Sequence, residues 1–319
     1  MPRHYQGVSL VEALVALGLG VVLALAASVA YVQAKRDFLF QRQLVQLQDT
    51  GGYALRLLGR EISLSGFFGS MPPGISSSLS PPGEGCTEAW ALEMSVGLEV
   101  LDDLHVDTMP VTALQSCLDF ESVMAGSDVV AVKRTATEPS VYAGDLATGL
   151  STSETKRWYL HVGEEADLSW RIHSAKTLRQ LDTPMSASYW RAISGIYFVR
   201  TWAVEKGDGI PTLCVEALAG STMPVRCLAE GVEDLQLQFG FDTDGDGVAN
   251  RYGDADSGDL SEAISARVFI VVRTLEVVHN NSGLTALAVG DHKKSYPADG
   301  YARRVVATTV PLDARVRPL

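Results

Sequence analysis

Three aspartates alternate with small or polar residues at Asp242, Asp244 and Asp246, and Gly245 and Gly247 fall between and after them. Carboxylate oxygens at positions 1, 3 and 5 of a tight loop, with glycine at 6, suit a hard cation that takes about six to eight oxygen ligands. The Val248 carbonyl would supply position 7, and Asn250 would bind at position 9 through water. The EF-hand pattern then fails. Position 12 falls on Gly253, where such a loop carries a bidentate Glu, so Asp254 or Asp256 is the candidate for the missing carboxylate, ahead of Asp259 and Glu262. Calcium is the expected cation, with a structural role in ordering the loop. The competing reading is a solvated acidic turn between strands, where Asp and Gly are the usual residues. Leu235 to Phe241 reads as a strand, so an EF-hand helix pair is not expected.

Little else in the chain suggests chemistry. The histidines at 4, 105, 161, 173, 279 and 292 form no pair at metal-ligand spacing. There is no G-x-S-x-G, no P-loop and no G-x-G-x-x-G after a strand, so an enzyme is not expected. Four cysteines, Cys86, Cys117, Cys214 and Cys227, contain no C-x-x-C, which leaves zinc knuckles and thioredoxin-type chemistry unsupported. Three connectivities are open, and neighbourhood in the sequence favours Cys86–Cys117 and Cys214–Cys227. Each bridge would add about 3 kcal/mol by loop closure in an exported domain. The 319 residues carry 26 Lys and Arg against 38 Asp and Glu, a formal charge of −12. Nucleic acid, whose phosphates demand a basic face, is therefore not an expected partner.

One carboxylate sits where carboxylates are costly. Val8 to Val32 is a 25-residue run with a single charge, Glu12. As a helix rising about 1.5 Å per residue it is long enough to cross a hydrocarbon core of about 30 Å. A Glu at mid-membrane costs about 2–3 kcal/mol, less near an end, and by default calls for a partner. A cleaved secretory signal fits poorly, because a short polar leader, MPRHYQG, precedes the apolar run directly. A plain signal anchor explains everything except Glu12. Arg3 on one side and Lys35, Arg36 and Arg42 on the other leave orientation open.

Gly7, then Val8-Ser9-Leu10-Val11-Glu12, then an apolar helix, resembles the class III signal of type IV prepilins. The resemblance implies cleavage by a prepilin peptidase after Gly7, methylation of the new amine on Val8, and a fifth-position glutamate, Glu12, that acts in helix assembly. Val8 departs from the Phe of most major pilins. Further along, Gln48 to Leu55, Gly66-Phe67-Phe68-Gly69, Gly126-Ser127-Asp128-Val129-Val130, Gly231-Val232-Glu233-Asp234-Leu235, the Asp242 to Gly247 loop and Arg303 to Val310 resemble the PilW family of minor pilins, in the same order. Residues 73 to 125 carry no such likeness.

The elements that must position these residues follow from periodicity. Phe40, Leu44, Leu47, Gly51, Ala54, Leu58 and Ile62 recur at spacings of four and three, one stripe of an amphipathic helix that packs on the chain's own globular part. Gly51-Gly52 is the expected bend, and Gly66 the helix stop, with Pro72-Pro73 beyond. Residues 70 to 85 read as a loop. Asp128 to Arg134, Arg157 to Val162, Leu168 to Ile172, Ile196 to Val204, Leu213 to Ala217, Leu235 to Phe241, Ala266 to Leu275 and Arg304 to Leu312 read as strands. The expected class is α+β and pilin-like: a long N-terminal helix, transmembrane then amphipathic, packed on an antiparallel β-sheet with a large inserted region. The expected divisions are a leader over 1–7, the helix over 8–66 with its membrane part at 8–32, and an exported globular domain over 67–319.

The resemblance implies a minor pilin that primes type IV pilus assembly and sits at or near the pilus tip, serving twitching motility. Its implied partners are other minor pilins, the major pilin, a tip adhesin and the prepilin peptidase. Its implied location is the inner membrane with a periplasmic domain, then the extracellular pilus. The alternatives are a minor pseudopilin of type II secretion and a signal-anchored exported enzyme or binding module with a calcium loop.

Overall fold

The computed structural model describes residues 9–69, 88–104, 118, 122–148, 150, 152–163, 167–181, 186–258, 260–278, 286–290, 292–312 and 316–318. The chain forms two units, Met1–Gln46 and Leu47–Leu319. A single helix, α1 (Leu10–Ser63), supplies the first unit and opens the second. Its start is capped: the Ser9 hydroxyl accepts the Glu12 backbone N–H at 3.2 Å, and the Ser9 carbonyl accepts that of Ala13 at 3.1 Å. A Ser followed three residues later by Glu is a capping-box sequence, and a Glu in the first turn also faces the positive end of the helix dipole. The first half of α1 is long and apolar enough to cross a membrane, and its Leu and Val side chains are exposed.

In the second unit the stripe turns inward. Leu47, Gly51, Ala54, Leu58 and Ile62 are buried. The helix is continuous through Gly51-Gly52. Gly51 serves the packing. A methyl there would stand 3.2 Å from Val306 and 3.3 Å from Val272, so its absence lets the helix lie close on the sheet. Gly59 does the same against Val310. Gly66, at φ +73, stops the helix as expected.

After α2 (Glu88–Ala91) the chain is mainly strands. In order they are β1 (Leu98–Leu101), β2 (Val129–Thr135), β3 (Val141–Tyr142), β4 (Asp145–Leu146), β5 (Lys156–Val162) and β6 (Leu168–Ser174). A short helix, α3 (Ala175–Leu178), follows, then β7 (Ser188–Arg200), β8 (Thr212–Ala217), β9 (Val225–Glu230), β10 (Val232–Phe241) and β11 (Arg251–Gly253). The last are β12 (Ala263–Arg273), β13 (Ala286–Val289), β14 (His292–Ser295), β15 (Arg303–Pro311) and β16 (Val316–Pro318).

The single central sheet of the sequence reading resolves into two larger sheets and a hairpin. Four strands lie in the order β11-β10-β12-β15, antiparallel throughout. Ten strands are organised by β7, the longest, whose first half pairs with β3 and β5 and whose second half pairs with β2 and β8. β7 therefore begins eight residues earlier than the sequence suggested and ends at Arg200 rather than Val204. The main core joins both sheets to α1: Leu58 and Ile62 pack with Leu98, Val130 and Val215 of one sheet and Leu237, Phe239 and Ile270 of the other.

The helix stop is locked by β1 and β2. The Gly66 N–H donates to the Lys133 carbonyl at 2.9 Å, and the Lys133 N–H donates to the Gly97 carbonyl at 2.8 Å. A Cβ on Gly97 would meet the Gly66 nitrogen at 2.3 Å, backbone that cannot swing aside. Gly97→Ala is expected to lower unfolding stability by about 1–3 kcal/mol, in the range for overpacked sites. A denaturant midpoint unchanged from wild type would refute that packing account.

Candidate functional site

The acidic loop joins β10 to β11 and runs from Asp242 to Asn250. Its ends are pinned: the Asp242 N–H donates to the Glu262 carbonyl at 3.0 Å, and the Asn250 N–H to the Phe241 carbonyl at 2.9 Å. Asp242 organises the turn. Its Oδ1 accepts the N–H groups of Gly245 at 2.7 Å and Asp246 at 3.2 Å, and its Oδ2 accepts that of Gly247 at 2.8 Å. These bonds need Gly245 and Gly247 at φ +77 and +85. They hold the Asp242 carboxyl below the usual carboxylate range, with the Gly247 N–H first. Asp246 accepts the Val248 N–H at 2.8 Å. The Asn250 side chain is engaged within the loop: its oxygen accepts the Thr243 N–H at 2.8 Å and its NH₂ donates to Asp244 at 3.2 Å.

Oxygens of Asp242, Asp244 and Asp246 lie within 4.8 Å of one another, as hard-cation coordination requires. Asp254 stands elsewhere, 3.7 Å from the His292 Nε2, which leaves the triad without that fourth carboxylate. Gly253 pairs with Phe239 in the strand ladder. Cys214 and Cys227 form a disulfide across directly paired positions of β8 and β9. Gly7, Val8, Cys86 and Cys117 lie outside the described residues. Glu12 is exposed in the first turn of α1.

The motifs shared with the resemblance meet in space. Ser127 exchanges hydrogen bonds with the backbone of Leu235 at 3.1 and 3.3 Å. Asp128, fully buried, accepts the N–H groups of Asp103 at 2.9 Å and Leu237 at 2.7 Å. Glu233 grips Arg303 with both oxygens, at 2.6 and 3.0 Å, and Asp299 takes the same guanidinium. Nothing local in these segments marks that they belong together.

It also missed a second acidic group. Asp102, Asp103, Asp254 and Asp256 converge beside His292, from a loop after β1, a turn after β11 and the start of β14. Three separate stretches of chain give no local signal. Burial first, then Asp254, Asp103 and Asp256, pushes the Asp102 carboxyl up to about 7, with His292 opposing. A raised folded-state pKa adds stability that is complete below the unfolded value near 3.8 and is lost as pH rises through about 7. Glu216, raised to about 7 by burial, has the same sign. His161 and His173, both lowered chiefly by burial, have the opposite one. The informative quantity is therefore a difference. Asp102→Asn is expected to match the wild-type thermal midpoint near pH 3 and to exceed it by a few degrees at pH 8. Parallel midpoint curves across that interval would refute the assignment.

The chain was compared with known proteins. The family model described as type IV pilus-assembly protein W, PilW, matches residues 196–314, from the second half of β7 through β15. No curated protein and no solved structure matches the chain. The matched segment contains the whole four-stranded sheet, the acidic loop, the Cys214–Cys227 bridge and the Glu233–Arg303 pair. Over these residues the chain resembles the PilW family of type IV pilus-assembly proteins, and it carries an apolar helix at its other end.

Proposed function

We propose that this protein is a minor pilin that primes type IV pilus assembly and sits at or near the pilus tip. The observation that carries the reading is the PilW match on a chain whose apolar N-terminal run, Val8 to Val32, bears one carboxylate, Glu12. Cleavage after Gly7 would create an amine on Val8, close to the capped start of α1. In a low-dielectric bilayer an unpaired carboxylate is costly, while a carboxylate–ammonium pair is strongly attractive. Glu12 would thus pair with an N-terminal amine, its own or a neighbour's, and set axial register as the helix leaves the membrane. Cleavage would also remove Arg3 from the segment to be moved. Other minor pilins, the major pilin and a tip adhesin are the partners this role requires, and the work is assembly rather than catalysis.

The test is twofold. In cells with a prepilin peptidase the product is expected to begin at methylated Val8, and a deletion strain is expected to lose surface pili and twitching. Intact mass and electron microscopy read the two. Residues 1 to 7 retained with and without the peptidase would sink the pilin role. Loss of enzyme secretion with normal pili would move the protein to a secretion pseudopilus.

The acidic loop adds a second, separable proposal, a structural calcium. Asp242, Asp244 and Asp246 offer the hard oxygens, with the Val248 carbonyl and Asn250 to complete the set. Asp242 is already committed to folding the turn, so Asp244 is the informative position. Calcium at about 100 times its Kd is expected to stabilise the chain by about 2.7 kcal/mol. Asp244→Asn is expected to abolish that gain while leaving the chelator-treated midpoint unchanged. Equal midpoints in calcium and chelator would refute calcium binding and leave a solvated turn.

A further inference from the structure

One face of the ten-stranded sheet collects arginines. Arg134 on β2, Arg157 on β5, Arg191 on β7 and Arg226 on β9 all line a cavity of about 310 Å³ that opens beside Leu57 and Glu61 of α1. The strand register explains the convergence. Arg134 pairs with Ile193, Tyr159 with Arg191 and Val215 with Arg226, so alternate residues of four strands reach the same face. Gly195, in the middle of β7, leaves the floor low.

The charges there are unequal. Arg134 is matched, because its Nε and Nη2 hold the two oxygens of Glu61 at 2.8 Å each. Arg157, Arg191 and Arg226 have no carboxylate partner among the described residues. The chain carries a charge of −12, yet the one carboxylate that lines the cavity, Glu61, is taken by Arg134. Arg191 is half-buried, and burial first, then Arg157, holds its guanidinium below the ordinary value. Like charges gathered in a recess favour a counter-ion inside it. Guanidinium forks match the planar oxygens of a carboxylate or phosphate. The volume lies at the small end for ligand pockets, and the walls are apolar at Val132 and Val215.

We propose that this cavity is an anion site, which takes a small carboxylate- or phosphate-bearing group through Arg157, Arg191 and Arg226. The apolar walls fit a short aliphatic stem behind the charge. This site is independent of the pilus role and of the acidic loop, and the purified chain alone reports on it.

The full chain in neutral detergent at low salt is titrated calorimetrically with glutarate and, separately, with inorganic phosphate. Saturable binding of at least one is expected, weakened about tenfold or more in the Arg191→Gln/Arg226→Gln variant, as loss of charge-assisted bonds implies. Tighter glutarate binding identifies a carboxylate ligand and tighter phosphate binding a phosphoryl one, and either supports the site. The unmodified chain gives an independent reading if the variant fails to fold. Phenylglyoxal labelling mapped by mass spectrometry is expected to slow at Arg157, Arg191 and Arg226 when the bound anion is present, and not at the exposed Arg56 of α1. Absence of saturable binding together with unprotected labelling would overturn the proposal, as would wild-type affinity in a folded variant.

Discussion

A buried carboxylate joins the two sheets. Asp128 stands at the entry to β2, fully enclosed, and its two oxygens take one N–H from the loop after β1 and one from Leu237 in β10. Burial pushes its pKa well above the ordinary value even though both backbone bonds pull it down. Desolvation is the larger effect, so the group is tolerated for what it holds together. Ser127 adds two more bonds to Leu235. The Gln236 side chain donates to the Gly126 carbonyl at 2.9 Å beside them, and such directional bonds fix a register that apolar contacts alone do not. With them, the sheets meet at one relative position, and their inner faces form the surface that the second half of α1 covers.

That surface admits the helix only because of what the helix lacks. Gly51 and Gly59 remove the Cβ atoms that would stand off β12 and β15, so Ala54, Leu58 and Ile62 reach the core. Glycine in a helix interior costs about 1 kcal/mol against alanine. The cost is borne where the valines it faces, branched at Cβ, have little freedom to move aside. The same helix carries Glu61, whose fork to Arg134 ties its last turns to β2. Packing sets the distance between helix and sheet, and the ion pair selects the rotation about the helix axis.

Much of this was legible in the sequence, and the rest was not for specific reasons. The stripe at four- and three-residue spacing located the buried face of α1 from Leu47 onward, because helical periodicity is a local property. Most strands of Val, Ile and aromatic residues were placed to within a few residues for the same reason, β7 excepted, which begins eight residues earlier. The close approach at Gly51 was not legible, since a glycine required by a close neighbour looks identical in sequence to one required by a turn. The division into two sheets was hidden, because β7 changes partners halfway along and nothing in its residues marks the change. At the acidic loop the triad was readable from its alternation. Asp254 was not, because its partner His292 arrives from another part of the chain. Asp102 and the arginine cavity were invisible altogether, each assembled from several distant stretches.

The average charge of −12 therefore describes this molecule poorly. Like charges have been gathered rather than spread, and each gathering carries a repulsion that something must offset. In the acidic loop Asp242 is answered by three backbone N–H groups. Beside His292, Asp102 is answered by a proton held more tightly than in the unfolded chain. Arg134 is answered by Glu61, and Arg303 by Glu233 and Asp299 together. Two sets lack an ion-pair partner among the described residues: Asp244 with Asp246 in the acidic loop, which accept one hydrogen bond each, and Arg157, Arg191 and Arg226 in the cavity. The buried charges are closed internally because desolvation leaves no cheap alternative. The open sets are the ones water can reach, and solvent access is also what an arriving ion or a neighbouring subunit requires. The line between answered and unanswered charge thus separates the groups that hold the fold from the groups left free to bind.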